Sequence, residues 1–250
     1  MTKIILHGSS GRMGKVIRQM AKDAPELQIV AGVDAFADET AEFPQFTDIA
    51  DCSVPADVVI DFSNHKAIPA LTDYCRKNKL PVVVCTTALT PEHIAGLEAA
   101  SKEIPVFRSA NMSLGINLLA KAIKAITPAL EDSFNVEIVE KHHNQKKDSP
   151  SGTALLLADA VNDSCETKKD YLYGRHGVTD ECKITDLGIH AIRGGTIPGE
   201  HIVIYAGPDE IIELKHTALS RNIFASGALK AAEWLVNQAP GMYDMNDMLK

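Results

Sequence analysis

The chain has 250 residues, 45% hydrophobic and 23% charged, with a formal net charge of −8. That length suffices for one large domain or two modest ones with cores of their own, and the acidic balance argues against non-specific nucleic-acid binding. No apolar run approaches the roughly 18 residues of a membrane span, and the start, MTKIILHGSSGRMG, lacks the apolar core and cleavage site of a signal peptide. The five cysteines, Cys52, Cys75, Cys85, Cys165 and Cys182, are scattered without CxxC spacing, which reads as reduced thiols, no metal site and a cytoplasmic chain.

Residues 3–7 form an apolar run that ends at Gly8. Met13, Val16, Ile17 and Met20 then recur at helical spacing, so one face of the following helix is apolar. Further strands are predicted over 29–33, 58–62, 82–85 and 106–110. One helix runs to about Asn78, and another is opened by Thr90, Pro91 and Glu92, a cap followed by proline in the first turn. Nearly all-apolar strands alternating with helices indicate a parallel sheet covered on both faces. Beyond Asn111 the pattern changes. Leu118, Leu119, Ala122, Ile123 and Ile126 mark a helix ending near Pro128; residues 136–140 read as a strand and 141–151 as a polar stretch; a helix starts near Thr153. Residues 183–192, 201–205 and 210–216 are consecutive extended runs, which suits an open, mixed or antiparallel sheet with helices on one side. Residues 224–236 are helical again. The fold class expected is α/β, with a parallel-sheet domain from 1–112 and 221–250 and an α+β domain from 113–220 built on an open mixed sheet.

Gly8, Ser9, Ser10, Gly11, Arg12, Met13 and Gly14 follow the first strand and open the first helix. Glycines there let backbone approach a pyrophosphate closely, and the helix N-terminus offers N–H donors and the positive end of its dipole. The arrangement is G-x-x-G-x-x-G rather than the commoner G-x-G-x-x-G. Asp34 ends the second strand, roughly 20 residues further on, where an acid accepts hydrogen bonds from an adenosine ribose. Together these point to a Rossmann-type dinucleotide domain. The negative charge of Asp34, followed by Ala35 rather than a basic residue, leans toward NADH over NADPH, although Arg12 could assist NADPH. Cys85, Thr86 and Thr87, and likewise Ala110, Asn111, Met112 and Ser113, end predicted parallel strands, the ligand-facing edge of an open α/β sheet.

The stretch 140–153, EKHHNQKKDSPSGT, packs His142, His143, Lys146, Lys147 and the Ser151-Gly152-Thr153 turn between a strand and a helix. Imidazole exchanges protons near neutral pH, ammonium groups bind carboxylates, and a helix start carrying hydroxyls suits an anion. A solvated polar loop is the plainer alternative. Metal binding is disfavoured, because adjacent histidines diverge on an extended backbone and no acidic partner sits at ligand spacing. Arg193, Gly194 and Gly195, with the segment leading to His201, read as a glycine-rich turn between strands, and His190, His201 and His216 read as structural.

In this order, with Asp61-Phe62-Ser63, Arg193, His216 and Ser220-Arg221 in their places, these motifs resemble the 4-hydroxy-tetrahydrodipicolinate reductase (dihydrodipicolinate reductase) family over nearly the whole chain. The H-H-x-x-K-x-D-x-P-S-G-T-A signature is the most specific part of the match. The resemblance implies hydride transfer from NADH or NADPH to a cyclic dicarboxylate, giving tetrahydrodipicolinate and water in lysine and diaminopimelate biosynthesis. It implies that Gly8, Ser9, Ser10, Gly11, Arg12 and Met13 hold the pyrophosphate and Asp34 the ribose, with Cys85, Thr86, Thr87, Ala110, Asn111, Met112 and Ser113 along the nicotinamide half. His142 would be the acid/base and Lys146 the proton donor. His143, Lys146, Ser151, Gly152 and Thr153 would grip the carboxylates. The second domain would bind substrate and join a homotetramer, with no nucleic-acid or membrane partner.

Cys85 and Ala88 stand where the family carries glycines, and Asp34 where it carries glutamate followed by arginine. These departures bear on cofactor seating and choice rather than on the 142–153 signature. Two other readings stay open from the residues alone: a different Rossmann-type NAD(P)-dependent dehydrogenase, and a non-catalytic NAD(H)-sensing protein.

Overall fold

The structure is a computed structural model and describes residues 1–36, 41–178 and 181–250. In chain order the larger elements of the first half are β1 (Thr2–His7), α1 (Arg12–Lys22), β2 (Leu27–Val33), β3 (Gln45–Phe46), β4 (Val58–Asp61), α2 (Ile68–Asn78), β5 (Val82–Val84), α3 (Pro91–Ala100) and β6 (Pro105–Arg108). They are followed by α4 (Leu114–Leu130), β7 (Asn135–His142), α5 (Gly152–Asn162), β8 (Asp170–Leu172), β9 (Asp186–Arg193), β10 (Glu200–Ala206) and β11 (Ile211–Thr217). The chain closes with α6 (Asn222–Leu235), β12 (Gly241–Tyr243) and α7 (Met245–Met248). Contacts divide it into two compact units, Met1–Ser113 with Asn222–Lys250, and Leu114–Arg221.

The first unit holds a seven-stranded sheet in the order β12-β6-β5-β4-β1-β2-β3, every pairing parallel. Its central strands are buried throughout, as expected where helices cover both faces. One face carries Ile5, Val33, Val59, Val82, Val84 and Val106, packed with Ile68, Leu71 and Cys75 of α2 and Leu97 of α3. The order reverses between β1 and β4, so the loops after these strands flank the topological switch point, where such sheets place ligands. At the sheet's edge the Trp234 ring of α6 stands edge-on to Phe107 and Tyr243, with centroids 6.2 and 5.2 Å apart.

The second unit holds a mixed sheet in the order β11-β10-β7-β9-β8, antiparallel from β11 to β7 and parallel from β7 to β8. The parallel domain with a second, mixed-sheet domain is therefore the architecture the sequence implied. Helices α4 and α5 lie on one face, where Val136, Ile138, Leu187, Ile189, Val203 and Tyr205 pack with Ile123, Leu157, Ala158 and Val161. The opposite face, with Val139, Ile202, Ile204 and Ile211, takes no part in that core. Inside the core, Thr127 Oγ1 and the Tyr205 hydroxyl lie 2.6 Å apart, so both buried hydroxyls are satisfied.

Three local expectations are revised. The strand read as 136–140 continues through His142, because Glu140 and His142 follow Val136 and Ile138 onto the buried face. α4 begins at Leu114 and runs past Pro128 to Leu130; a proline so near the helix end gives up only the one hydrogen bond its own N–H would have made. The run starting at 183 becomes strand only from Asp186. The short edge strands β3, β8 and β12 went unread, being too brief for any period to show.

Gly227 offers a test of packing between α6 and the end of the first half. A Cβ there would stand 1.7 Å from the Met112 carbonyl oxygen, a backbone atom that cannot swing aside. Gly227→Ala should destabilise the protein by about 1–3 kcal/mol or more, the range for overpacking, read from chemical denaturation. An unchanged midpoint would mean that the 112 backbone yields freely.

Candidate active site

In the first unit the site grows from the ends of β1, β2, β4, β5 and β6. Gly8 takes φ 82°, a left-handed turn that costs glycine nothing, and a Cβ there would lie 2.5 Å from the Phe62 carbonyl. Gly14 is needed for closeness: its Cβ would lie 2.2 Å from the Gly8 carbonyl. Gly11 is the N-cap of α1, with no side-chain cap and no acidic residue in the first turn, so the positive helix end, at Arg12 and Met13, is left for an anion. Ser9 is buried, its Oγ 3.4 Å from Gln45 Oε1. The Asp34 carboxylate accepts the Ser10 N–H at 3.0 Å and the Phe36 N–H at 3.1 Å, and Ser10 Oγ donates to the Phe36 carbonyl at 2.7 Å. The acid and the glycine loop are thus tied together.

Beside them lies a cavity of about 720 Å³ whose lining includes Arg12, Met13, Cys85, Thr86, Thr87, Ala110, Asn111 and Met112. Its size is within the range of cofactor pockets. Thr86 Oγ1 is buried with no protein partner among the described residues, an unmet polar group that a ligand amide or hydroxyl would satisfy. These features fit a nicotinamide dinucleotide. Ser113, also expected here, is buried with its N–H donating to Asn111 Oδ1 at 2.8 Å and is absent from the lining. Ala88 adopts φ 58°, the left-handed conformation that favours glycine. At the switch point, the wholly buried Asp61 accepts from Ser63 Oγ at 2.5 Å, and its Oδ1 lies 3.0 Å from His7 Nδ1. The sequence reading assigned neither Asp61 nor His7 a role.

In the second unit the sequence-predicted residues gather at the C-terminal end of β7 and the start of α5. Along one sheet face the apolar rows give way to polar ones: Glu140 pairs with His201 and His201 with His216, while His142 pairs with Arg193. Glu140 is fully buried. Its Oε2 lies 2.6 Å from His142 Nδ1 and accepts Arg193 Nη1 at 2.7 Å; its Oε1 accepts Arg193 Nη2 at 2.7 Å and the Ser151 N–H at 2.9 Å. Burial pushes the Glu140 carboxyl up, but Arg193, His142 and the Ser151 N–H outweigh it and hold it below the usual carboxylate range. For His142, burial wins over the attraction of Glu140 and lowers its pKa below the ordinary imidazole value.

Ser151 caps α5, its Oγ accepting the Ala154 N–H at 3.1 Å and lying 2.9 Å from His201 Nε2. Gly152 and Thr153 form the first turn of α5. His143 follows β7, and its carbonyl accepts the Lys146 N–H at 3.2 Å, which closes the turn that presents Lys146. Lys146 Nζ pairs with Asp148 at 2.9 Å, which lowers the Asp148 carboxyl. Lys147 is exposed. Three members of the cluster were missed. Glu140 sits two residues before His142 on a strand, so period two alone puts it on the same face. His201 was read as structural and Arg193 as part of a turn; Arg193 in fact ends β9, and only the β7–β9 register brings it to Glu140.

Comparison with known proteins agrees over the whole length. Residues 2–112 match the family described as dihydrodipicolinate reductase, N-terminus, and residues 115–249 the dihydrodipicolinate reductase, C-terminus. The chain is 53% identical to a 4-hydroxy-tetrahydrodipicolinate reductase from Caldanaerobacter subterraneus subsp. tengcongensis, covering 100% of this chain and 99% of the relative. It is 51% identical to one from Clostridium novyi over the same shares. The fold is similar to that of a dipicolinate-bound dihydrodipicolinate reductase from Paenisporosarcina sp. TG-14, with TM-score 0.84, 21% identity and 98% and 99% of the two chains covered.

The polar rows carry a stability signature. Burial, then the charge of His142, push His201 down to about 4, whereas an unfolded histidine titrates near ~6.5. Between these values the unfolded chain binds the extra proton. Stability is therefore fully present above about 6.5 and is lost as pH falls toward 4, by at most roughly 3 kcal/mol from this residue. Guanidinium denaturation at pH 7 and near 4.5 should show a smaller loss for His201→Gln than for the parent; equal losses would mean that His201 is not held neutral in the fold.

Proposed function

The chain belongs to the dihydrodipicolinate reductase family, and from that membership we propose that it reduces 4-hydroxy-tetrahydrodipicolinate to tetrahydrodipicolinate and water, using a nicotinamide cofactor, in lysine and diaminopimelate biosynthesis. The observation that carries the reading at residue level is the convergence of His142, Ser151 and the start of α5 on one buried carboxylate. The nicotinamide, when bound, supplies the hydride. The unit Met1–Ser113 with Asn222–Lys250 is the dinucleotide-binding domain of this proposal, and Leu114–Arg221 the substrate-binding and oligomerisation domain. In the first, the N-terminus of α1 binds pyrophosphate, Asp34 the ribose, and the cavity lined by Cys85, Thr86, Thr87 and Asn111 the nicotinamide half.

In the second domain, His143, Lys146, Ser151, Gly152 and Thr153 bind the substrate's two carboxylates, through a cation and the amides of a helix start. His142 is the acid/base that exchanges a proton with the reduced ring, and Lys146 is the proton donor. The homotetramer belongs to the same reading; the sheet face bearing Val139, Ile202, Ile204 and Ile211, outside the unit's own core, supports it. No helix among the described residues is long and apolar enough to cross a membrane, and the free cysteines support a cytoplasmic location.

The deciding experiment follows NADH oxidation with freshly generated substrate. His142→Gln should lower kcat by about 10²–10⁴-fold with cofactor binding intact. Lys146→Ala should raise substrate KM and lower kcat together, and weaken competitive inhibition by pyridine-2,6-dicarboxylate by about 10- to 150-fold. Lys147→Ala, of equal charge but without an assigned role, should be mild. Interchangeable lysines, or a dicarboxylate that does not bind, would reject the pocket.

Cofactor choice has its own test. Asp34 repels a 2′-phosphate, and no basic residue follows it. NADH should be used at least as well as NADPH, judged by kcat/KM in one buffer. A preference for NADPH beyond about tenfold, or ~1.4 kcal/mol, would assign control of the pocket to a cation such as Arg12.

A further inference from the structure

The buried carboxylate near the C-terminal end of β7 does more than fill the fold. The Arg193 guanidinium donates to both oxygens of Glu140, which favours the ionised carboxylate, and an ionised carboxylate only accepts hydrogen bonds. Its Oε2 lies 2.6 Å from His142 Nδ1, so that nitrogen must carry a proton in either charge state of the ring. The neutral imidazole then has its lone pair on Nε2, and the imidazolium presents its exchangeable N–H there. The surroundings of Nε2 agree: the neighbouring residue is Gly199, where a Cβ would stand 3.1 Å from Nε2, so the absence of a side chain keeps this nitrogen clear.

We propose that Glu140 is a positioning residue that sets the tautomer of His142 and so makes Nε2 the nitrogen that exchanges the proton with the reducing ring. The proposal rests on the reading of His142 as the acid/base and specifies how that residue is armed. Arg193 belongs to the device. It binds both oxygens of Glu140 and also donates to the Asp148 carbonyl at 2.8 Å, so the carboxylate cannot rotate away from the imidazole. The Ser151 N–H on Oε1 ties the same carboxylate to the start of α5, where substrate carboxylates would bind. Proton exchange and anion binding thereby share one anchor, much as a buried acid orients the histidine of a hydrolase triad.

The charged and titratable groups around His142 are Glu140 on its own strand, Arg193 on β9, Lys146 on the following turn, and His201 on β10, whose ring centroid is 5.1 Å away. Lys146 and Arg193 disfavour the imidazolium and Glu140 favours it. Removing the Glu140 charge must therefore move the His142 titration to lower pH.

The first measurement needs no variant. In wild-type protein labelled with ¹⁵N-histidine, above the titration midpoint, His142 should show a protonated Nδ1 and a bare Nε2; the reverse tautomer overturns the proposal. In the second, Glu140→Gln should lower kcat by about 10²–10⁴-fold, shift the His142 midpoint and the matching limb of the pH–rate profile downward, and leave cofactor dissociation unchanged. Glu140→Asp, which retains the charge, should recover part of the loss. Wild-type turnover with an unmoved midpoint in Glu140→Gln overturns the positioning role and leaves the proposed reaction standing. Undiminished turnover in His142→Gln instead rejects the assignment of His142 and this proposal with it. Should Glu140→Gln not fold, the wild-type tautomer decides.

Discussion

A carboxylate can be buried only if its charge is met from several sides at once. Glu140 is met by a bidentate guanidinium, an imidazole and a backbone amide, each from a different part of the chain: β9, β7 and the start of α5. Taking such a charge out of water costs several kcal/mol unless the geometry is good. The β7–β9 register, the place where α5 begins and the path of the loop at Asp148 must therefore be right together. A slip of one residue in either strand would send Glu140 or Arg193 to the far face and leave a bare ion among Ile138, Val203 and Leu157. The same contacts that make the polar rows tolerable next to an apolar core also bring His142, His201 and Ser151 within reach of one another.

The first unit meets a different demand with backbone rather than side chains. Its loop after β1 is held by close approaches at Gly8 and Gly14 and by Asp34, which takes two main-chain N–H groups. The chain's net charge of −8 is no obstacle to anionic ligands. A helix start without acidic residues, at α1, and another next to Lys146, at α5, concentrate positive potential locally while the overall charge stays negative. Elsewhere ion pairs are used structurally: Glu200 is held at about 2 by Lys141 and then Lys215 on its neighbouring strands.

What the sequence made legible follows from the range of the interactions. The parallel sheet showed itself because Val58 to Ile60 and Val82 to Val84 are buried on both faces and had to be apolar at every position. The glycine loop and the helix start at 151–153 were readable because their contacts are local. Glu140 was within reach of the same logic, since alternation along β7 carries it to the face of His142. Arg193 was not, because its role depends on a strand pairing that links it to His142 across 51 residues of chain. His201 was read as structural, and the structure finds it buried. Burial and proximity to Ser151 Oγ turn out to hold together, and sequence alone cannot separate them. Ala88 was marked only as an unusual residue where glycine is customary; its φ of 58° gives the backbone reason for that custom.

The discontinuity of the first unit has a consequence for how the molecule is made. Leu114–Arg221 is a single continuous stretch and can complete every pairing of its sheet before residue 222 is synthesised. The parallel sheet cannot finish early. Strands β1 to β6 exist by then, but α6, which packs on β4, β5 and β6, follows only after residue 221, as does the edge strand β12. Ile60, Val83 and Phe107, on the side away from α2 and α3, wait uncovered while more than a hundred residues are translated, on the order of ten seconds at about 5–20 residues per second. The nascent chain thus carries its sticky surface in the half that begins first, and its vulnerability to premature association ends only when α6 leaves the ribosome.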